Sequence, residues 1–267
     1  MKKIVLLCGV AALVVACATN PLTGKSQLAI YPETELLGTS FQQYSEFMKA
    51  NKVVTGTADA KMVAKVGDRI KDAAIKWMTA KGYQNNIKDY KWEYKLVEDK
   101  SVNAWCMPGG KIAVFTGILP VTKDEAGLAT VMGHEVAHAL LAHSRTRVNN
   151  ALAQQAVGGI LSEATSGTSV ATQQAFQLAY GLGSNLGNLK YSRNHESEAD
   201  HLGLILMAIA GYNPDNAIPF WQRMAAKGGA GVPEFLSTHP SHTTRIKDIQ
   251  KLIPTAKAEA KVFGKVY

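Results

Sequence analysis

The stretch VMGHEVAHALLAH, Val131 to His143, places two histidines four residues apart with a glutamate directly after the first. On a helix, residues i and i+4 share a face, so His134 and His138 can turn both imidazoles toward one ion. Glu135 is rotated about 100° away, close enough to reach a water at that ion without displacing it. Neutral imidazoles suit zinc, and a catalytic zinc site takes three protein ligands and leaves one position open. At ordinary composition such a pattern arises by accident in on the order of one chain in a hundred. Two ligands and a base therefore need a third ligand from elsewhere.

YSRNHESEADHLG, Tyr191 to Gly203, supplies one. Glu196 and Asp200 again stand four apart, on a predicted helix that continues as the strongly apolar LGLILMAIA. That apolar run draws this end of the helix into the core, where a carboxylate without a partner is costly and a zinc ion supplies one. Glu196 is then the third ligand. Asp200, one turn away, accepts a hydrogen bond from a ligand histidine and fixes its tautomer. Glu198, two residues off that face, is expected to be exposed. His143, five residues after His138, lies off the ligand face and is read as structural.

The surrounding pattern predicts a mainly helical α+β domain. Helical spacing runs over Glu33 to Ala50 and Ala58 to Lys81. YKWEYKLV (Tyr90 to Val97), VNAWCM and KIAVFTG read as strands, the last two joined by the Pro108-Gly109-Gly110 turn, which suggests a small antiparallel sheet. Thr122-Lys123-Asp124-Glu125 forms a capping box, and the helix it starts is expected to run to about Asn150. Residues 151–187 are rich in Ala, Gly, Ser and Gln, and read as helical pieces around a loose turn, a candidate cover. Further helices are expected over about 193–210, 214–227 and 241–252, the last two flanking the loop STHPSH.

The chain begins MKKIVLLCGVAALVVACATN, with two lysines before an apolar run too short to span a bilayer comfortably. The run ends in VVAC, which has the form of a lipobox: 1–16 is then a signal peptide, Cys17 the lipidated first residue, and 17–32 an extended tether leading to one domain at 33–267. The alternative is a simple secretory signal cleaved after Ala18. Ala18 in place of aspartate at the second position favours, by analogy, the outer membrane of a Gram-negative bacterium, facing the periplasm. With Cys8 removed and Cys17 acylated, Cys106 has no partner for an internal disulfide. The formal charge of +8 falls to +6 once Lys2 and Lys3 are removed, and its basic residues are spread out, which argues against nucleic-acid binding.

HEVAH followed by ESEAD resembles the signature of the gluzincin metallopeptidases that include the CAAX prenyl endopeptidases and HtpX (peptidase family M48). NPLTGKSQL, VNAWCMPGGKIAVFTGIL and LSTHPSHTTRI extend the resemblance over most of the mature chain, and toward the soluble lipoprotein branch of that family. The resemblance implies a zincin-type domain holding one Zn2+ on His134, His138 and Glu196, with Glu135 as base and Asp200 behind the ligands. It implies that VNAWCMPGG is an edge strand beside the zinc, where Asn103 and Ala104 bind an extended peptide, and that Cys106 is unreactive. It also implies that His239, in the THP motif, either helps hold the oxyanion or closes the zinc as a removable fourth ligand. For Arg245 the resemblance implies contact with substrate or with acidic groups near the site. The function implied is a zinc endopeptidase acting on unfolded or misassembled envelope proteins, with a chaperone-like outer-membrane assembly factor as the alternative. Specificity and oligomeric state are not legible in the sequence.

Overall fold

The computed structural model describes residues 17–29, 33–157, 174, 191–227, 233–239 and 244–267. Residues 1–16, expected as a signal peptide, and almost all of the candidate cover beyond residue 157 lie outside the described residues.

Two helices open the domain, α1 (Glu33–Ala50) and α2 (Ala58–Ala80), both close to their expected bounds. The Thr57 side chain accepts from Ala60 N and so caps α2, whose Val63, Val66, Ile70 and Ala74 form one buried stripe. The strands are β3 (Val53–Val54), β4 (Glu93–Val97), β5 (Ala104–Met107) and β6 (Lys111–Phe115), in the order β3-β4-β6-β5. The sheet is mixed rather than antiparallel: β4 pairs with β6 in parallel, while the other two pairings are antiparallel. Alternating side chains serve two cores. Leu96, Ala104, Cys106, Ile112 and Val114 enter the main core with α2, whereas Val97, Trp105, Met107, Ala113 and Phe115 pack with Leu36 and Tyr44 of α1. Covering both faces buries β5 and β6 almost completely, which is the setting in which parallel pairing is found.

A short helix α3 (Leu119–Thr122) precedes the metal helix α4 (Glu125–Leu140). Asp124, not Thr122, is the cap, accepting from Gly127 N at 2.8 Å. Every residue from Gly127 to Leu140 is buried, and Leu128, Val131, Met132 and Val136 each contribute about 1.5–3 kcal/mol by burial. The helix does not run on to Asn150. It stops at Leu140, Ala142 takes a left-handed backbone conformation (φ 56°), and α5 (His143–Val157) leaves in a new direction. Then come α6 (Arg193–Ile209), α7 (Ala217–Ala226), the short α8 (Glu234–Thr238) and α9 (Arg245–Val262), which is longer than expected and carries Pro254.

Part of the segment expected as an extended tether is folded. β1 (Cys17–Thr19) and β2 (Ser26–Leu28) form an antiparallel hairpin. It docks beside the α4–α5 junction: Asn20 Nδ2 donates to Leu141 O, Thr146 Oγ1 to Gln27 Oε1, and Asn149 Nδ2 to Leu28 O. Among the described residues no helix is long and apolar enough to cross a membrane.

Candidate metal centre

Two helices make the site by coming unusually close. A Cβ on Gly133 would stand 2.8 Å from the Gly203 carbonyl oxygen, and one on Gly203 would stand 2.9 Å from His134 Cα. Only glycine permits this backbone contact. It sets the face of α6 that carries Glu196 and Asp200 against the face of α4 that carries His134 and His138. Ser192 starts α6 by accepting from His195 N, which fixes where its first turn begins.

His134, His138, Glu196 and His239 converge, each offering one ligand atom, with all four atoms within 4.8 Å of one another. His134 Nε2 lies 3.0 Å from His138 Nε2 and 3.2 Å from His239 Nδ1. Glu196 Oε1 lies 3.3 Å from His138 Nε2 and 3.0 Å from His239 Nδ1. Ligands bonded at 2.0–2.1 Å around a tetrahedral zinc are separated by about 3.4 Å, so these spacings suit such an ion. The charges suit it as well. Glu135, Glu196 and Asp200 are all buried, and buried negative charge needs a cation. Burial opposes charge on His134, yet its bonds to Asp200 and Glu196 prevail and raise its pKa to about 9. Burial pushes His138 well below its ordinary value, which keeps it neutral and suited to a metal. Glu196 resists burial through the facing His239, His134 and His138, and stays well below the carboxylate range.

Glu135 stands at the edge of this cluster. Its Oε1 is buried without a hydrogen bond and lies 3.3 Å from His239 Nε2. Burial raises its pKa, the shift a general base requires.

Asp200 lies behind His134, with Oδ1 3.0 Å from His134 Nδ1. Arg245 is turned toward the acidic groups. It is buried, holds Asp200 through Nε at 2.9 Å and Nη2 at 2.7 Å, reaches Glu196 Oε2 with Nη1 at 2.9 Å, and lies over the Trp221 ring at 3.6 Å. Of its two expected partners the structure selects the acidic groups. Glu198 corrects the expectation of exposure: it is partly buried and bonded to His143 Nε2 at 2.9 Å and to Lys25. His143 is off the ligand face, as its spacing implied, but its Nδ1 lies 3.0 Å from His138 Nδ1.

β5 is the edge strand of the sheet and packs on α4. Asn103 O accepts from Phe115 N, so its neighbour Ala104 presents its N–H to the free edge. That N–H is taken by Asn103 Oδ1 at 2.9 Å, and Val102 O accepts from Phe235 N. Cys106 is buried, and burial raises its thiol pKa, in keeping with an unreactive cysteine.

Aromatic rings that sequence reading did not single out wall the cluster. Tyr191 stacks on His138 at 3.8 Å, Phe235 stacks on His239 at 4.5 Å, and Trp221 backs Arg245. Helical spacing could mark Trp221 as buried within α7, but not as a neighbour of Arg245.

Residues 68–253, which include every one of these site residues, match Peptidase family M48. The chain belongs to that family of zinc metallopeptidases. Among relatives of the M48 chain, the mitochondrial metalloendopeptidase OMA1 of Schizosaccharomyces pombe is 39% identical over 178 residues, 66% of this chain and 50% of the relative. Metalloprotease YcaL of Escherichia coli is 29% identical over 226 residues, 80% of this chain and 87% of the relative. The putative beta-barrel assembly-enhancing protease of Vibrio cholerae is 31% identical over 165 residues, 57% of this chain and 33% of the relative. The chain spans about half the length of the OMA1 relatives that it matches.

Proposed function

We propose that this chain is a zinc endopeptidase of the bacterial cell envelope that degrades misfolded or misassembled envelope proteins. The observation that carries this reading is Glu135, a buried carboxylate with an unbonded oxygen beside a His-His-Glu-His cluster. A structural metal site needs no base. His134, His138 and Glu196 would hold the zinc, which when bound would supply Lewis-acid chemistry and lower the pKa of a water toward neutrality. Glu135 accepts the proton of the attacking water and returns it to the leaving amine. Asp200 and Arg245 keep His134 and Glu196 in place. An extended substrate adds to β5 through main-chain bonds once the Ala104 N–H and the Val102 carbonyl are released from Asn103 and Phe235. Such pairing reads backbone more than side chains, which suits unfolded substrates. The VVAC junction and the similarity to a putative beta-barrel assembly-enhancing protease support an envelope protein, acylated at Cys17 and tethered to the outer membrane on its periplasmic side.

The test is Glu135→Gln. It is expected to bind zinc as the wild type does and to cleave an unfolded protein such as casein about 10²–10⁴-fold more slowly. Undiminished cleavage by that variant would refute the assignment. Chelation is expected to abolish cleavage while helical circular dichroism persists; unfolding on chelation would instead support the assembly-factor reading, in which zinc serves structure.

The position of His239 favours a second reading, a latent form of the same enzyme. Its Nδ1 occupies the fourth corner of the cluster, the place a catalytic site keeps open. In a latent enzyme His239→Ala raises the cleavage rate, whereas loss of an oxyanion donor lowers it.

A further inference from the structure

His138 is supported from outside the cluster by a line of polar side chains that begins at the surface. Lys25, in the turn between β1 and β2, bonds to Glu198 Oε1. The other oxygen of Glu198 lies 2.9 Å from His143 Nε2, and His143 Nδ1 lies 3.0 Å from His138 Nδ1. The proton positions along this line follow from what each group can donate or accept. A carboxylate paired with a lysine only accepts, so His143 carries its proton on Nε2. The neutral ring then has a lone pair at Nδ1, which accepts the N–H of His138 Nδ1. His138 keeps its own lone pair at Nε2, the atom that faces His134 and Glu196.

We propose that His143 is a positioning residue that sets the tautomer and ring orientation of His138 for metal binding, and that Glu198 and Lys25 hold it to that role. This rests on the metal-centre reading above. Ligand histidines generally donate their outer N–H to an acceptor. His134 meets a carboxylate directly at Asp200, but His138 meets a second imidazole, which can accept in only one tautomer. Glu198 removes that ambiguity. The reach of His143 depends on the turn at Ala142, and Asn20 of the hairpin secures this turn by donating to Leu141 O at 2.6 Å. His143 also stacks on His195, with ring centroids 4.2 Å apart, which helps to fix the plane of its imidazole. The segment that follows the lipobox is therefore a part of the site's outer support, not only a spacer.

The test measures zinc affinity of the full chain by competition with a chromophoric chelator. The variants are His143→Ala, His143→Gln and His143→Leu. Glutamine can accept from His138 through its carbonyl and donate to Glu198 through its amide; leucine fills similar space and can do neither. His143→Ala and His143→Leu are expected to weaken zinc binding about 10–100-fold, while the melting temperature of the metal-free protein stays close to the wild type. His143→Gln is expected to recover most of the affinity and to restore the wild-type visible spectrum of the cobalt-loaded protein. Wild-type affinity in His143→Leu, or a His143→Gln as weak as His143→Leu, would overturn the proposal while leaving the metal centre standing. A wild type that binds no zinc would overturn the metal reading, and this inference with it.

Discussion

His134 and His138 sit one turn apart on the same helix, yet they are supported by different kinds of neighbour. His134 is backed from within. Asp200, Arg245 and Trp221 are all buried behind it, and α6 lies against its backbone at Gly203. His138 is backed from without, by His143, then Glu198, then a lysine whose side chain is 56% exposed. The inner support is part of the hydrophobic core and shares its stability. The outer support is polar, reaches solvent, and relies on a hairpin from the start of the described chain. One helix thus presents two ligands of equal chemistry and unequal dependence on the fold.

The contrast breaks most severely at Arg245. Arg245→Met leaves Asp200 and Glu196 buried without their guanidinium, an expected loss of about 3–5 kcal/mol in urea unfolding of the metal-free protein. A loss under about 1 kcal/mol would mean that the inner support is not electrostatic. Gly203→Ala ranks next. Its new methyl must push α4 and α6 apart, at an expected cost of about 1–3 kcal/mol, with weakened zinc binding because Glu196 moves with α6. Full stability and full zinc affinity in that variant would show that the helices can separate freely. On the outer side, Lys25→Ala is expected to change stability by no more than about 1 kcal/mol, since the pair is exposed, and less still in high salt. A loss as large as that of Arg245→Met would erase the distinction between the two sides.

The inner side was also the more legible in sequence. The i, i+4 spacings of His134 with His138 and of Glu196 with Asp200 place side chains on helix faces, and helix periodicity survives folding. The bounds of α1 and α2 followed from the same periodicity. The outer side depends on a reversal at Ala142, where an alanine, rather than the glycine or asparagine usual at a left-handed position, ends the helix. No composition signal marks it, so α4 and α5 read as one helix, and His143 as a structural residue off the ligand face. The tether residues looked like turn formers without partners, because the hairpin's hydrogen bonds go to residues more than a hundred positions away. The strands were visible by alternation, but alternation does not name the neighbour, and the parallel pairing of β4 with β6 is set by the elements that cover both faces of the sheet. His239 and Arg245 lie on no shared helical face with the other site residues. Family resemblance, not spacing, pointed to them.

Arg245 also bears on the order in which the protein becomes competent. The histidines of α4 and the carboxylates of α6 emerge from the ribosome first, but the guanidinium that makes Glu196 and Asp200 tolerable in the interior arrives with α9. Until that helix docks, the two carboxylates lack the countercharge that their burial calls for, a deficit of about 3–5 kcal/mol. Residues that precede α9 therefore hold every metal-binding side chain, while the charge that steadies Glu196 and Asp200 comes from α9 itself.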